Sequence, residues 1–229
     1  VLFVDAREID TEFALGSLQL QLDQVTNLLE DPLAEPHAIS LDAEALQLDF
    51  TPYFSDIWQI QNVRAEALVD LRRGQMDVLD MTAFVDGTQA YAQGRIYLPD
   101  ENALPDDLPF GISMTATVDG AFTPETVLKF WPVTLGADAR LWVEENVREG
   151  NFSEAQFRMD LAPDELRDDR LDDEDLQLDF VFENAVTSFL EDLPSVNRGR
   201  GSARLNGNSF SLDLESGEFS NWTLTAGKV

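Results

Sequence analysis

The sequence predicts a mainly β protein: a curved antiparallel meander sheet, open as a groove or half-barrel, with a short two-helix insert. Three observations support this fold class. Apolar and polar residues alternate with a period of two in several stretches, the pattern of a strand with one covered and one wet face. Short turn sequences join these stretches, and helix signals are concentrated in one segment at about 124–149.

The first half of the chain reads as strands joined by short turns. Alternating residues predict a strand at 13–23 and a second at 46–50. A hairpin follows, with strands at 65–71 and 76–84 joined by Arg72-Arg73-Gly74. The turn Val85-Asp86-Gly87-Thr88 leads to a strand at 91–98. Several strands in series with short turns indicate an antiparallel meander.

A proline-rich acidic segment divides the sequence into two predicted domains. Residues 99–109, PDENALPDDLP, cannot form a central strand and predict a loop. The pentapeptide Leu-Gln-Leu-Asp-Phe occurs at 46–50 and again at 176–180. We therefore predict a first β-meander repeat at 1–109 and a second repeat at 110–229 that contains the helical insert.

The insert begins with a capped helix. Thr123 is a typical N-cap residue, Pro124 suits the first turn, and Glu125 places a negative charge at the positive end of the helix dipole. Pro132 ends the pattern, so the first helix is predicted at 124–131.

A second helix is predicted at 138–149. Trp142, Val143 and Val147 recur at helical spacing, Arg148 lies in the expected last turn, and Gly150 is the expected left-handed C-cap.

Strand patterns flank the insert. Strands are predicted at 112–118 and, with one irregularity near Glu154, at 152–161. Further along, a strand at 176–182 precedes an expected helical turn at 185–190 and a loop at 194–201. The hairpin around Asn206-Gly207 and a last strand at 219–225 complete the chain.

The composition limits the function. The chain has 44 acidic and 15 basic residues and a formal net charge of -29, so its surface repels nucleic-acid backbones. It has no cysteine, which excludes disulfides and cysteine-bound metals. No apolar run is long enough for a transmembrane helix, and we expect the segment to belong to a longer protein anchored elsewhere.

The sequence lacks the motifs of an enzyme. The only histidine, His37, follows Glu35-Pro36 and is expected to be a surface loop residue. No phosphate-binding loop, dinucleotide fingerprint or nucleophile elbow is present, and we expect no catalytic residue, no metal site and no cofactor. Two alternatives stay open: a secreted or surface β-sandwich that binds calcium through acidic loops such as 168–175, and a carboxylate-dependent hydrolase.

The helical segment carries a resemblance to a known family. Its pattern is similar to the central signature of the YhdP-like branch of the AsmA-like bacterial envelope proteins, relatives of TamB and of the bridge-like lipid-transfer proteins. The residues that carry the resemblance are Phe130, Trp131, Pro132, Ala139, Arg140, Trp142, Asn146 and Gly150.

The resemblance implies a function. It implies a non-catalytic periplasmic domain of a protein anchored in the inner membrane, with a role in phospholipid transport between the inner and outer membranes and in outer-membrane integrity. Its implied partners are phospholipid acyl chains and neighbouring segments of the same parent chain.

The one-sided strands supply the candidate binding surface. Burial of a methylene group is worth about 0.8 kcal/mol, so an apolar trough can hold an acyl chain through area alone. The groove candidates are Leu18, Leu20, Leu22, Leu46, Leu48, Phe50, Ile112, Met114, Val118, Phe157, Met159, Leu176, Leu178, Phe180, Phe210 and Leu212.

Overall fold

A computed structural model describes most of the chain. It covers residues 2–10, 14–22, 31, 33, 35–49, 51, 54–97, 111–133, 136–161, 172–188, 195–207 and 209–228, and for the first two strands it describes the backbone course. The predicted loop at 99–109, Phe50 and the acidic pair Asp168-Asp169 lie outside the described residues.

The fold is mainly β, as predicted. Strands that follow each other in the chain are hydrogen-bonded neighbours, so the sheet is a meander with a linear order from β1 to β12, and β13 pairs with β11. The strands are β1 (Leu2–Asp10), β2 (Ala14–Leu22), β3 (His37–Leu48), β4 (Trp58–Asp70), β5 (Gln75–Val85), β6 (Thr88–Tyr97), β7 (Gly111–Asp119), β8 (Val147–Leu161), β9 (Leu176–Thr187), β10 (Val196–Asn206), β11 (Ser209–Phe219), β12 (Trp222–Leu224) and β13 (Gly227–Lys228). The helices are α1 (Pro124–Phe130) and α2 (Ala137–Asn146).

The chain divides into two compact units. Unit 1 comprises Val1–Thr51, Asp56–Ala116 and Met159–Asp168. Unit 2 comprises Pro52–Ser55, Thr117–Arg158 and Asp169–Val229. Both helices belong to unit 2.

Unit 1 contains antiparallel hairpins in series. The strands β1 to β6 pair in chain order. The predicted turn between β4 and β5 is closed by the Asp70 carboxylate, which accepts hydrogen bonds from the backbone N–H groups of Arg72 and Arg73 at 3.1 Å each. The predicted turn between β5 and β6 has positive φ at Asp86 and Gly87, as a tight hairpin turn requires.

Unit 2 has a packed aromatic core. Phe122, Phe152, Phe180 and Phe182 are all at most 8% exposed and form one cluster with Ala155, Ala185, Ala203 and Leu212. The rings of Phe152 and Phe180 lie 4.8 Å apart, and Phe122 meets Phe152 edge to face at 5.9 Å. This cluster is a hydrophobic core of unit 2.

The first helix matches its prediction. The Thr123 hydroxyl accepts a hydrogen bond from the Thr126 backbone N–H at 3.3 Å, and Pro124 occupies the first turn. The helix ends at Phe130, one residue before the predicted end, and its Val127 packs against the aromatic core.

The second helix is shorter than predicted. It ends at Asn146, and β8 starts at Val147, so the prediction of Arg148 in its last turn and of Gly150 as its C-cap is wrong. Gly150 lies inside β8, where a Cβ atom would come within 3.1 Å of the Phe152 ring and 3.4 Å of the Ala185 Cα atom. The glycine therefore permits close approach of two strands.

Further predictions about loops are corrected. His37 is not the expected surface loop residue, since it is only 3% exposed. It begins β3 opposite Val69, and its side chain takes a buried position in the strand, next to an exposed one. Residues 185–187 continue β9 rather than forming a helical turn, and β10 begins at Val196 within the expected loop. Strand β1 was not predicted.

The irregularity near Glu154 is confirmed. Glu154 has a φ of 56°, so β8 contains a local irregularity of the β-bulge kind there. The slip keeps Phe152 and Ala155 on the buried side of the strand, although they are three positions apart.

Candidate functional site

One face of unit 1 is apolar across four strands. Its β3 residues are Ile39, Leu41, Ala43, Leu46 and Leu48. Directly opposite them on β4 lie Ala67, Ala65, Val63, Ile60 and Trp58. On β5 and β6 the face continues with Val78, Met81, Ala83, Ala90, Ala92 and Gly94. We call this surface the apolar face.

Paired irregularities keep these residues on one side. Ala43 pairs with Val63 and Leu46 pairs with Ile60, so both strands contain two residues between these pairs instead of one. Asn62, within the β4 slip, has a φ of 49°. Because side chains alternate between faces with a period of two, a slip in one strand alone would turn its apolar residues toward the wrong side. The matched slips preserve the face.

The apolar face is covered unevenly. Ala43, Val63 and Ala83 are at most 4% exposed and form a small cluster with Leu41, Leu46 and Ile60 packed against it. The buried members are small, whereas the larger members of the cluster are only half-buried. The described residues of unit 1 contain no helix that could cover this face as a second layer, since α1 and α2 both belong to unit 2.

Methionines are concentrated in unit 1. Met76, Met81, Met114 and Met159 are the four methionines of the chain, and all are half-buried residues of unit 1. Methionine is flexible and polarisable, and it is common on surfaces that accept ligands of varied shape. Unit 1 therefore combines aliphatic rows with adaptable side chains.

The opposite face of unit 1 is polar. Arg64 pairs with Asp42 at 3.2 Å, and Arg95 pairs with Asp77. The hydrogen bond to Asp77 raises the pKa of Arg95 above its ordinary value. These exposed pairs are worth little stability individually, but they mark this side as the water-facing one.

The structure places some predicted groove residues in unit 1. Leu46 and Leu48 are half-buried members of the apolar face, and Ile112 and Met114 are half-buried in β7. In the backbone register, Leu20 lies opposite Leu41 and Leu22 lies opposite Ile39, while Leu18 belongs to the same strand.

Other predicted groove residues belong to unit 2 or to β8. Phe180 and Leu212 are buried in the aromatic core, and Leu176 is only 2% exposed. The remaining ones, which pack against that core or are half-buried in β8, are Val118, Leu178, Phe210, Phe157 and Met159. The predicted set is therefore divided between the two units.

The residues that carry the family resemblance hold the helices of unit 2 in place. The side chain of Arg140 donates hydrogen bonds to Glu144 at 3.0 Å, to the Ser55 hydroxyl at 3.2 Å and to the Leu128 carbonyl at 3.5 Å. It thus connects α2 with the end of α1 and with the segment around Ser55.

Aromatic and amide contacts complete the helical layer. The Trp142 ring lies 5.8 Å from the Phe210 ring of β11, and the Asn146 side chain donates to the Trp142 carbonyl at 2.9 Å. The Asn146 carbonyl accepts from the Ser188 backbone N–H at 2.9 Å. Trp131 and Pro132 are buried, and Phe130 and Ala139 are half-buried. These contacts are structural.

Sequence reasoning missed the centre of the apolar face. The hairpin around Arg72–Gly74 was predicted, but none of its residues was selected as a candidate site. The available signal was the alternation of Val63, Ala65 and Ala67 with the charged residues Arg64 and Glu66. Alanine contributes little to a hydrophobic pattern, although a row of alanines leaves room beside a sheet.

Within the described ranges, no three histidine, cysteine or carboxylate side chains come together as a metal site. In the same residues, neither helix has the length and apolar character needed to cross a bilayer.

Comparisons with known proteins identify no relative. Neither family models nor curated proteins nor solved structures give a match to this chain. The resemblance to the YhdP-like branch therefore stays a prediction.

Proposed function

We propose that the apolar face of unit 1 binds the acyl chains of phospholipids, and that the protein is a non-catalytic lipid-binding part of a periplasmic envelope protein anchored in the inner membrane by other segments. The observation that carries the proposal is the uninterrupted apolar surface across β3 to β6, whose larger side chains stay half-buried. The resemblance of the helical segment supports the periplasmic setting and a role in transport between the two membranes.

The chemistry of the face suits a long apolar ligand. The apolar face consists of aliphatic side chains, Gly94, Met81 and Trp58, and among these residues the Trp58 indole N–H is the one side-chain hydrogen-bond donor. An acyl chain would gain about 0.8 kcal/mol for each methylene removed from water, and would keep that gain while it slides. Such a surface favours movement of lipid over tight capture of one headgroup.

Charge limits the choice of lipid. With a formal net charge of -29, the chain repels anionic headgroups. Zwitterionic phospholipids are therefore the expected cargo, and direct contact with anionic bilayers is not part of the proposal. Neighbouring segments of the parent chain would continue the sheet at its free edges.

The test is lipid capture by the full chain purified without detergent. The protein is incubated with vesicles of phosphatidylethanolamine that carry a photoreactive diazirine in one acyl chain, and then analysed by native mass spectrometry and peptide mapping. We expect bound phospholipid and cross-links on peptides of β3 to β6. A protein that stays free of lipid and cross-links in unit 1 would refute the proposal.

Two adjacent substitutions provide a matched pair. Met81→Asp places a charge on the apolar face, and Thr82→Asp places the same charge on the polar face of the same strand. We expect Met81→Asp to abolish lipid capture and Thr82→Asp to leave it unchanged. Leu48→Asp, at the last residue of β3, gives a second variant if Met81→Asp does not fold.

A further inference from the structure

The polar face of unit 1 contains an uncharged patch. It consists of Gln59 and Gln61 of β4, Phe84 of β5, and Gln89 and Tyr91 of β6. We call it the amide patch. Its residues alternate with members of the apolar face, so they lie on the opposite side of the sheet.

The register brings the patch together. Gln61 lies directly opposite Phe84, and Phe84 lies directly opposite Gln89. Side chains opposite each other on one face of antiparallel strands have Cβ atoms about 4.5–5.5 Å apart. Tyr91 lies two residues beyond Gln89 on the same face, and Gln59 lies two residues before Gln61. The patch is therefore a continuous surface three strands wide.

The amides of the patch are available for a ligand. In the part of the chain that the structure describes, no protein hydrogen bond uses the side chains of Gln59, Gln61 or Gln89. Gln59 and Gln61 are exposed and Gln89 is half-buried. Each amide offers two donor hydrogens and an acceptor oxygen. Together they present donors and acceptors side by side.

Two rings accompany the amides. Tyr91 is 37% exposed, and Phe84 is half-buried on the same face. An aromatic ring on a wet surface offers a flat apolar platform, and the tyrosine hydroxyl adds a polar edge. The patch thus combines platforms with hydrogen-bonding groups.

Charge decides between ligand classes. Arg64, which lies opposite Thr82 on the same face, forms an ion pair with Asp42 at 3.2 Å that is neutral as a pair, and the patch itself carries no charge. The formal net charge of -29 disfavours an anionic ligand, and the patch has no carboxylate for a cation. An uncharged ligand with many hydroxyl groups and flat apolar surfaces matches the patch best.

We infer that the amide patch binds a neutral saccharide chain, with sugar rings on Tyr91 and Phe84 and hydroxyl groups hydrogen-bonded to the glutamine amides. This site lies on the face opposite to the proposed lipid surface and does not depend on that proposal.

In the test, the full chain is titrated with maltohexaose, cellohexaose and the N-acetylglucosamine hexamer. Binding is measured by isothermal titration calorimetry and by backbone NMR chemical-shift changes. At least one of the three is expected to bind and to shift the resonances of β4 to β6. Tyr91→Ala and Gln61→Ala should each weaken binding by about fivefold or more, which corresponds to about 1 kcal/mol. Tyr91→Phe, which keeps the ring, should retain most of the affinity.

Matched controls make the test decisive. Tyr97 lies on the same strand and face as Tyr91 and is 38% exposed, but it lies beside the charged Arg95. Tyr97→Ala and, in unit 2, Gln156→Ala should leave binding unchanged. The inference is overturned if none of the three oligosaccharides binds at millimolar concentration, or if Tyr97→Ala weakens binding as much as Tyr91→Ala does.

Discussion

The tetrapeptide Leu-Gln-Leu-Asp at 46–49 in unit 1 recurs at 176–179 in unit 2, and these two copies have different environments. In unit 1 it ends β3, where Leu46 and Leu48 are half-buried opposite Ile60 and Trp58. In unit 2 it begins β9, where Leu176 is only 2% exposed and Leu178 is half-buried against the aromatic core. The first leucine of the tetrapeptide thus lies on a partly open face in unit 1 and is fully buried in unit 2, although the second leucine is half-buried in both.

The helical layer of unit 2 explains the difference in burial between the two copies. In unit 2, Trp142 of α2 packs on Phe210, and Phe210 lies opposite Leu205, which in turn lies opposite Leu178. The helical layer therefore reaches the sheet beside the second copy. Unit 1 has no helix among its described residues. An amphipathic strand specifies which side needs cover, and other elements decide what covers it.

The aspartates of the two copies also differ. Asp179 forms an ion pair with Arg204 across the strand pair. Asp49 instead accepts hydrogen bonds from Thr51, from the backbone N–H at 3.0 Å and from the hydroxyl at 2.7 Å. The Asp179 carboxylate thus links two neighbouring strands, and the Asp49 carboxylate stabilises a local turn after the end of β3.

The largest expected effect comes from truncating the equivalent leucines. Leu176→Ala should lower the free energy of unfolding by about 2–5 kcal/mol, because it leaves a cavity in a closed core. Leu46→Ala should cost about 1 kcal/mol, because a half-buried site can collapse or fill with water. Denaturant unfolding with hydrogen exchange on β3 and β9 measures both. Equal losses would show that the two faces are equally closed.

A smaller effect is expected from loss of the α1 cap. Thr123→Ala should destabilise the helical layer by about 1 kcal/mol, since the Thr126 N–H loses its acceptor. Faster hydrogen exchange in α1 is the measurement. Thr117→Ala, at an exposed position of β7, is the control and should leave α1 exchange unchanged. No change in α1 for Thr123→Ala would contradict the assigned cap.

The smallest effect concerns the Asp49 turn. The hydrogen bonds from Thr51, the backbone one first, lower the pKa of Asp49 below its ordinary value of 3.8. Because the pKa is lower in the folded state, the turn contributes stability above that ordinary value and loses it as the pH falls through the folded pKa.

A single substitution separates the two donors. Thr51→Ala removes the hydroxyl and keeps the backbone N–H, so the pKa of Asp49 should rise but remain below 3.8. Carboxyl-carbon NMR titration measures it. An unchanged pKa would mean that the hydroxyl plays no part.

Predictions from sequence succeeded where the signal is local. The turn at Asp86-Gly87, the cap at Thr123 and the irregularity at Glu154 each depend on a few neighbouring residues, and the structure confirms them. The candidate site was only partly predictable. Leucine-rich runs such as 46–48 give a strong hydrophobic alternation and were predicted as groove residues. The alanine-rich rows of β4 and β6 give only a weak hydrophobic alternation.

The sequence alone determined the strand periods, the hairpin turns and the start of the helical insert, because side-chain alternation and capping act over a few residues. Only the tertiary structure decided the roles of residues whose contacts come from distant positions. The local sequence predicts Gly150 as a helix cap, but in the structure it lies in a strand against Ala185 of the neighbouring strand. The local sequence also predicts His37 as a loop residue, but His37 lies in β3, which pairs with β4. The same holds for the leucines of Leu-Gln-Leu-Asp at 46–49 and 176–179, since their burial depends on what lies over each sheet face.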